Sequence, residues 1–509
     1  MFDATPLLKL YACYRQRRLT REDSLAAQQR ELLKLLAAAR DTRFGEDHDF
    51  AAVRSVEDFQ ARVPLRNYEA FWQDYWEPSF PRLVDRTWPG TIPFFALTSG
   101  TTSGTTKFIP CSRQMNQANV RAAADLLVHH LNNQPRSRLL GGRNFMLGGS
   151  TALTELAPGI HSGDLSGIAA KVMPWWARLR YFPPHELEMI TNWETKIAKL
   201  AAGSLEADIR TVSGTPSWLL IFFDKLAEVS NAADRRLVRF FPNLELLVHG
   251  GVDFTPYRKT FEELLEGSHA ETREVYAASE GFIAVADRGE GDGMRLIAEN
   301  GLFYEFVPVE ELDAPRPTRH WLKDAQPGVN YAVVVSTCAG LWAYVLGDTV
   351  RFVDLVPPRI LITGRTAYML STFGEHLIAE EIEQSVASAA EAIGENVVDY
   401  SVGPLMPERP GDLGQHLYIL EFSSAAPASA RIDAFARALD ERLAEMNDDY
   451  RGYRLGGYRL KAPRVHAVPP GTFAAWMKQR GQLGGQHKVP RIINDPALFR
   501  ALRAFTGCA

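Results

Sequence analysis

The segment Thr98-Ser-Gly-Thr-Thr-Ser-Gly-Thr-Thr-Lys107 places a run of hydroxyl side chains and two glycines in front of a single lysine. Glycine lets the backbone turn its N–H groups toward a ligand. Ser and Thr add further donors and Lys107 adds a point charge, a combination that suits a polyphosphate. The segment is not a Walker A loop, because Gly100 and Gly104 are too close and Thr106 rather than Gly precedes Lys107. Composition by itself also allows a flexible surface linker. Lysine is scarce, supplying 12 of the 56 basic residues, so Lys107 and a second lysine in a Gly-rich setting, Lys488, are easy to pick out.

The elements that must position these groups read as α/β. An apolar strand-like run, Phe94–Leu97, leads into the glycine-containing segment. Apolar periodicity predicts helices over 24–40, 114–132, 184–203 and 217–229. Short β-type runs follow at Leu244–Val248, Glu274–Tyr276, Leu302–Val307, Ala332–Ser336, Thr349–Val353 and Arg359–Thr363. The mixture implies an α/β architecture. The pattern restarts after residues 364–371, with a helix at Ala379–Ala392, strands at Val397–Val402 and His416–Phe422, and an amphipathic helix presenting Ile432, Phe435, Leu439, Leu443 and Met446. From Val468 onward Gly, Gln and Pro are frequent, and a loop is expected. The expected division is a large domain at 1–365 and a small one at 366–509.

Composition narrows the function classes. With 56 basic and 61 acidic residues the net charge is -5, which disfavours a protein that coats nucleic acid. No stretch has the roughly 20 apolar residues that span a bilayer, and the first residues lack a charged-then-apolar leader layout. Cys13, Cys111, Cys338 and Cys508 are scattered, which argues against a disulfide framework or a zinc site. A reducing cytoplasm is the expectation.

The glycine-containing segment resembles the phosphate-binding signature of the acyl-adenylate-forming superfamily, which includes firefly luciferase, acyl-CoA synthetases and peptide-synthetase adenylation domains. The extra Ser103 and the following Phe108-Ile109-Pro110 are similar to one branch, the auxin-responsive acyl-acid amido synthetases. The likeness recurs in order: Val63-Pro-Leu-x-x-Tyr68-Glu69, Leu247-Val-His-Gly-Gly251, Tyr276-Ala-Ala-Ser-Glu280, Tyr344-Val-Leu-Gly-Asp348, Gly364-Arg365, Asn447-x-x-Tyr450 with Arg454, and Gln486-His-Lys488-Val-Pro-Arg491. Each motif is weak alone, and it is their order that is specific. The sequence departs from the superfamily at the hinge, where Ala367 and Ser371 replace an Asp and a Lys.

The resemblance implies a large adenylate-forming domain of mixed sheets and helices with a small mobile α+β C-terminal domain. It implies two half-reactions: ATP and a carboxylic acid give an acyl-adenylate and pyrophosphate, and an amino acid amine then displaces AMP. Ser99, Gly100, Thr101 and Thr102 would clamp phosphate with Lys107 as supporting charge, and Gly250 and Gly251 would lie along the nucleotide. Tyr276 would face adenine, Ser279 would bond phosphate and Asp348 would accept from the ribose, with Arg365 also in the nucleotide site. Glu280 would hold magnesium, which takes one or two carboxylates beside phosphate oxygens. Lys488 would stabilise charge in the adenylation transition state. The bland alternatives are a helix cap for the hydroxyls, a core tyrosine, a solvated loop acid for Glu280, a Gly-Asp turn for Asp348 and a solvated tail lysine for Lys488. His249, His376 and His487 lie beside motifs, but a lone histidine near a site is more often structural. The acyl pocket would fall between 114 and 220, with Val120, Leu126, Trp218 and Leu219 as liners or as core. Expected partners are ATP, magnesium, a small carboxylic acid and an amino acid, with no nucleic acid or membrane, on a monomer. An acyl-CoA ligase and a non-catalytic nucleotide-binding protein are the competing readings.

Overall fold

The computed structural model describes residues 2–99, 106–148, 151–184, 187, 190, 193–251, 254, 257–289, 291–312, 314–366, 369–370, 377–406, 413–424, 426–447, 450–451, 454, 460–482 and 488–508. The chain forms two compact units. One comprises Met1–Gly251 and Leu265–Leu361, the other Val252–Leu264 and Ile362–Ala509. The second unit therefore takes in a short segment from the middle of the sequence, which no composition shift announces.

In the first unit, two N-terminal helices, Thr5–Thr20 and Ser24–Ala39, form as the periodicity requires. The second is started by Asp23, whose carboxylate accepts from the N–H groups of Leu25 and Ala26, donors that the helix itself cannot satisfy. Its buried face includes Ala27, Leu32, Leu35, Leu36 and Ala39, interrupted by Gln28. That amide is fully used: it donates to the carbonyls of Ala298 and Leu302 and accepts from the N–H of Tyr304. A buried polar group is tolerated on these terms.

Among the described residues the principal sheet has 11 strands, in the order Leu302–Pro308, Asn330–Thr337, Tyr344–Leu355, Pro358–Arg365, Met294–Leu296, Gly281–Val285, Glu271–Ala278, Leu246–Gly250, Ile209–Gly214, Arg143–Leu147 and Tyr181–Phe182. From Glu271–Ala278 to Tyr181–Phe182 neighbouring strands run parallel. The hairpins on the other side are antiparallel. A separate four-stranded sheet is ordered Thr106–Cys111, Phe94–Ser99, Ile160–Gly163, Thr154–Ala157. The helices Arg113–Asn133, Trp193–Leu205 and Pro216–Ser230 fall on three of the expected helices; the expected start of the second, at 184–192, lies largely outside the described residues.

The second unit builds a three-stranded sheet from Val397–Leu405, Gln415–Phe422 and Arg464–Val468. The helices Ala379–Ala392 and Ser429–Met446 contribute to its core, the latter burying Phe435, Leu439 and Leu443 as its period predicted. One expectation fails here. The segment beyond Val468 is not simply a loop: it contains the helices Thr472–Gln479 and Pro496–Phe505. The second has Asp495 as its N-cap and Pro496 in its first turn, a start signal that the Gly and Pro content obscured.

Arg491 sits within this unit with two carboxylates. Glu383 takes the short contact at 2.6 Å and Asp399 lies at 3.9 Å. Burial pushes the Asp399 carboxyl up to about 7, against the opposing pull of Arg491 and with help from Glu421. The folded state then holds a proton that the unfolded chain, titrating near 3.8, has released. Stability from this group is present below about pH 4 and is lost as pH rises to about 7. The isosteric Asp399→Asn should flatten that decline in melting temperature. An unchanged slope between pH 4 and pH 7 would count against the raised carboxyl.

Candidate functional site

Two strands flank the glycine-containing segment. Phe94–Ser99 and Thr106–Cys111 pair antiparallel, with Thr98 opposite Lys107 and Ser99 opposite Thr106. Gly100, Thr101 and Thr102 fall outside the described residues, and Ser99 is placed by its backbone at the end of its strand. Lys107 is a strand residue.

Lys107 meets the upstream Tyr68-Glu69. Its ammonium is 3.5 Å from a Glu69 carboxylate oxygen and 5.2 Å from the centre of the Tyr68 ring. The Tyr68 hydroxyl accepts from the N–H of Phe108 at 3.0 Å. Burial pushes that phenol up to about 12, so it stays protonated near neutrality. Tyr68 itself is brought in by the preceding chain: the N–H of Arg66 bonds the Ala343 carbonyl, and the N–H of Val345 bonds that of Arg66. The segment at 63–69 therefore runs beside the start of Tyr344-Val-Leu-Gly-Asp348 while holding Lys107 from below.

The parallel strands Leu246–Gly250 and Glu271–Ala278 end on the same edge, Gly250 opposite Val275. Ligands in α/β sheets gather beyond such carboxyl ends. Gly250 is demanded by packing, since a Cβ there would lie 2.3 Å from the Val275 carbonyl oxygen. Gly251, with φ of +83°, turns the chain away where other residues would be strained. After Ala278 the chain makes a two-residue turn, Ser279-Glu280, and returns as Gly281–Val285. Both turn residues are buried, Glu280 at only 9% exposed. The solvated-acid reading of Glu280 is thereby removed, because an ionised carboxylate is kept from water only with compensating groups.

Asp348 also departs from its bland reading. It lies inside the strand Tyr344–Leu355, not in a connecting turn. Pairing with Asn330–Thr337 slips there: Ala332 faces Thr349 while Val334 faces Val345, so Leu346-Gly-Asp348 bulges out of register. Gly347 has φ of +90°, the backbone state that lets the bulge form. The bulge aims Asp348 at Tyr276, whose hydroxyl donates to Asp348 Oδ2 at 2.8 Å. Tyr276 is 4% exposed, so little of its ring is open to a base, and its clearest contact orients the carboxylate. Tyr276→Phe should cost about 1 kcal/mol of stability and raise the KM for ATP several-fold. A KM within error of the parent's would detach this pair from nucleotide binding.

The remaining expectations divide. Arg365 ends the strand Pro358–Arg365 in the second unit, and Lys488 is exposed. His249 is buried, while His376 and His487 fall outside the described residues, as do Ala367 and Ser371. Of the suggested acyl-pocket liners, Leu126, Trp218 and Leu219 are buried but Val120 is 42% exposed. Asn447, Tyr450 and Arg454 knit the second unit together. The Asn447 amide donates to both oxygens of Glu381, which caps the helix Ala379–Ala392. The Tyr450 hydroxyl and the Arg454 guanidinium both donate to Asp440. Tyr68 and Glu69 receive Lys107 beyond forming part of a motif, and nothing in the sequence singles out Tyr257, which bonds Arg491.

No group of three or more His, Cys, Asp or Glu side chains converges as a metal cage among the described residues. No described helix is long and apolar enough to cross a membrane.

The structure overlays a GH3.15 acyl acid amido synthetase with a TM-score of 0.79 at 18% identity, covering 97% of this chain and 95% of that one. It also overlays a 2-hydroxyisobutyryl-CoA ligase in the postadenylation state, with a TM-score of 0.60 at 17% identity over 94% and 91% of the two chains. The GH3 family N-terminal domain matches residues 14–163 and 157–270, the central domain 295–365 and the C-terminal domain 380–497, and the chain belongs to the GH3 family. Among its relatives are the indole-3-acetic acid-amido synthetases GH3.8 of Oryza sativa subsp. indica, 25% identical over 61% of this chain, and GH3.3 of Arabidopsis thaliana, 22% identical over 61%. The chain spans about half the length of these relatives, 55% and 56%.

Proposed function

We propose that this protein is an ATP-dependent acyl-acid amido synthetase. It joins a carboxylic acid of aryl, indolyl or fatty type to ATP as an acyl-adenylate, releasing pyrophosphate. It then passes the acyl group to the amine of an amino acid, releasing AMP. The observation that carries this reading is the Tyr276–Asp348 contact beside the buried Ser279-Glu280 turn, which brings two distant motifs to one place. The names of the relatives, indole-3-acetic acid-amido synthetases, support the acid and amine classes.

In this reading Ser99, Gly100, Thr101 and Thr102 bind the triphosphate and Lys107 neutralises it, held ready by Glu69. Gly250 and Gly251 leave room for the nucleotide, Ser279 bonds phosphate, Tyr276 sets Asp348 against the ribose hydroxyls, and Arg365 contributes from the nucleotide site. Glu280 fits magnesium: it is a hard oxygen donor shielded from water, and a cation carried by the triphosphate needs only one or two protein carboxylates. When bound, the ion neutralises charge developing on the phosphates. Lys488 adds the compact positive charge at the reacting phosphorus. The residues from 366 form a hinged small domain, although Ala367 and Ser371 depart from the usual hinge pair. The enzyme works as a cytoplasmic monomer without nucleic acid or membrane. Its four cysteines, all free thiols, suit a reducing compartment.

The test is pyrophosphate exchange into ATP with indole-3-acetate, benzoate and decanoate, followed by an amino acid panel on the fastest acid. Acid-dependent exchange and an amide product are expected. A coenzyme A thioester as the main product, or ATP binding without exchange for any acid, would overturn the reading.

A further inference from the structure

The chain just after Lys488 is fixed by contacts that no motif anticipates. The Ser401 hydroxyl donates to the Pro490 carbonyl at 2.8 Å, the Val402 N–H donates to the Arg491 carbonyl at 2.6 Å, and the Ile493 N–H donates to the Val402 carbonyl at 2.8 Å. Residues 490–493 are thereby laid along the strand Val397–Leu405. The Arg491 side chain then enters a pocket made by three elements. Glu383 comes from the helix Ala379–Ala392, while Asp399 and Tyr400 come from the strand. The third is Tyr257, just before the helix Arg258–Leu264. One guanidinium N–H donates to the Tyr257 hydroxyl at 2.9 Å, and the guanidinium centre lies 5.5 Å from that ring and 5.2 Å from the ring of Tyr400.

Tyr257 is 2% exposed and lies in the short segment that the second unit takes from the middle of the chain. Its hydroxyl gives the guanidinium an acceptor in a direction that neither carboxylate supplies. An arginine fork held on several sides is fixed in angle as well as in place. Lys488 has a long, flexible stem, so the origin of its reach is the backbone that follows it, with Pro490 restricting the residue before it.

We propose that the Tyr257 hydroxyl is a positioning group for Lys488, acting through Arg491 and the backbone between them. The inference rests on the reading that Lys488 supplies charge to adenylation. Tyr257 touches no substrate; it sets where the ammonium can be delivered. Misplacing a reacting group by about 1 Å can cost a hundredfold in rate, so loss of one of several restraints is expected to cost about tenfold.

The experiment compares Tyr257→Phe, Lys488→Ala and the double variant by pyrophosphate exchange with the fastest of indole-3-acetate, benzoate and decanoate. Tyr257→Phe keeps the ring under the guanidinium and removes only the hydroxyl. Its exchange kcat should fall about tenfold, with the KM for ATP within about twofold of the parent. The double variant should be no slower than Lys488→Ala alone, because the hydroxyl has nothing left to position. Parental kcat in Tyr257→Phe, a change confined to KM, or multiplicative losses in the double variant would each overturn the inference while leaving Lys488 in place. Parental exchange in Lys488→Ala would overturn both the inference and the reading beneath it.

Discussion

Lys488→Ala is expected to slow acid-dependent pyrophosphate exchange by about a hundred- to a thousandfold, the scale on which removing one charge-stabilising donor acts in other enzymes. The KM for ATP should change little. In this structure Lys488 is exposed, and it follows the Gly-rich stretch Gly481-Gln-Leu-Gly-Gly485 while preceding a backbone fixed at 490–493. In the proposed reading its ammonium acts on the negative charge that builds on the transferring group, and an interaction made only then raises kcat rather than lowering KM. The measurement is therefore a pair, kcat and KM for exchange. A variant that turns over within twofold of the parent removes Lys488 from the mechanism. One that loses ATP affinity instead makes it a binding residue.

The second large effect is on stability. Arg319→Ala should destabilise the first unit by about 3–5 kcal/mol, the range for removing one partner of a buried ion pair. Glu305 is fully buried in the strand Leu302–Pro308, and Arg319 meets it with two nitrogens at 2.9 and 2.8 Å. The same guanidinium donates to the carbonyls of Gln60 and Val63 at 3.1 and 2.5 Å. Truncation leaves the carboxylate in a site without water and leaves two carbonyls unanswered. It also loosens the start of the segment that carries Tyr68 and Glu69 beneath Lys107. Urea unfolding of the full chain should show the first transition at lower denaturant. Arg319→Met combined with Glu305→Leu should recover much of the loss, since no unpaired charge then remains. An Arg319→Ala chain as stable as the parent would show that water reaches Glu305.

Much of the local structure was legible. The helix Ser429–Met446 and its buried Phe435, Leu439 and Leu443 follow from a period close to 3.6, and several strands of the large sheet follow from β-branched and aromatic runs. The strand Thr106–Cys111 was harder to read because Lys107 and Pro110 interrupt it. The helix Pro496–Phe505 had its start signal in Asp495-Pro496, and composition outweighed it. Glu280 and Asp348 were named from motif order, but nothing local says that one is buried in a turn and the other lies in a bulge. Tyr257 had no signal at all, since its role depends on a partner at position 491.

The chain's residue order alone specifies the chemical groups: a run of hydroxyl side chains before Lys107, then Glu280, Asp348 and Lys488. It also specifies most of the helices and strands that carry them, because side-chain period and turn chemistry act over a few neighbouring residues. Which of these groups meet is set by long-range packing. Tyr276 bonds Asp348, Glu69 and Tyr68 receive Lys107, and Tyr257 and Glu383 share Arg491. These contacts join residues tens to hundreds of positions apart. They depend on strand order, register and the closing of long loops, which local propensity does not encode.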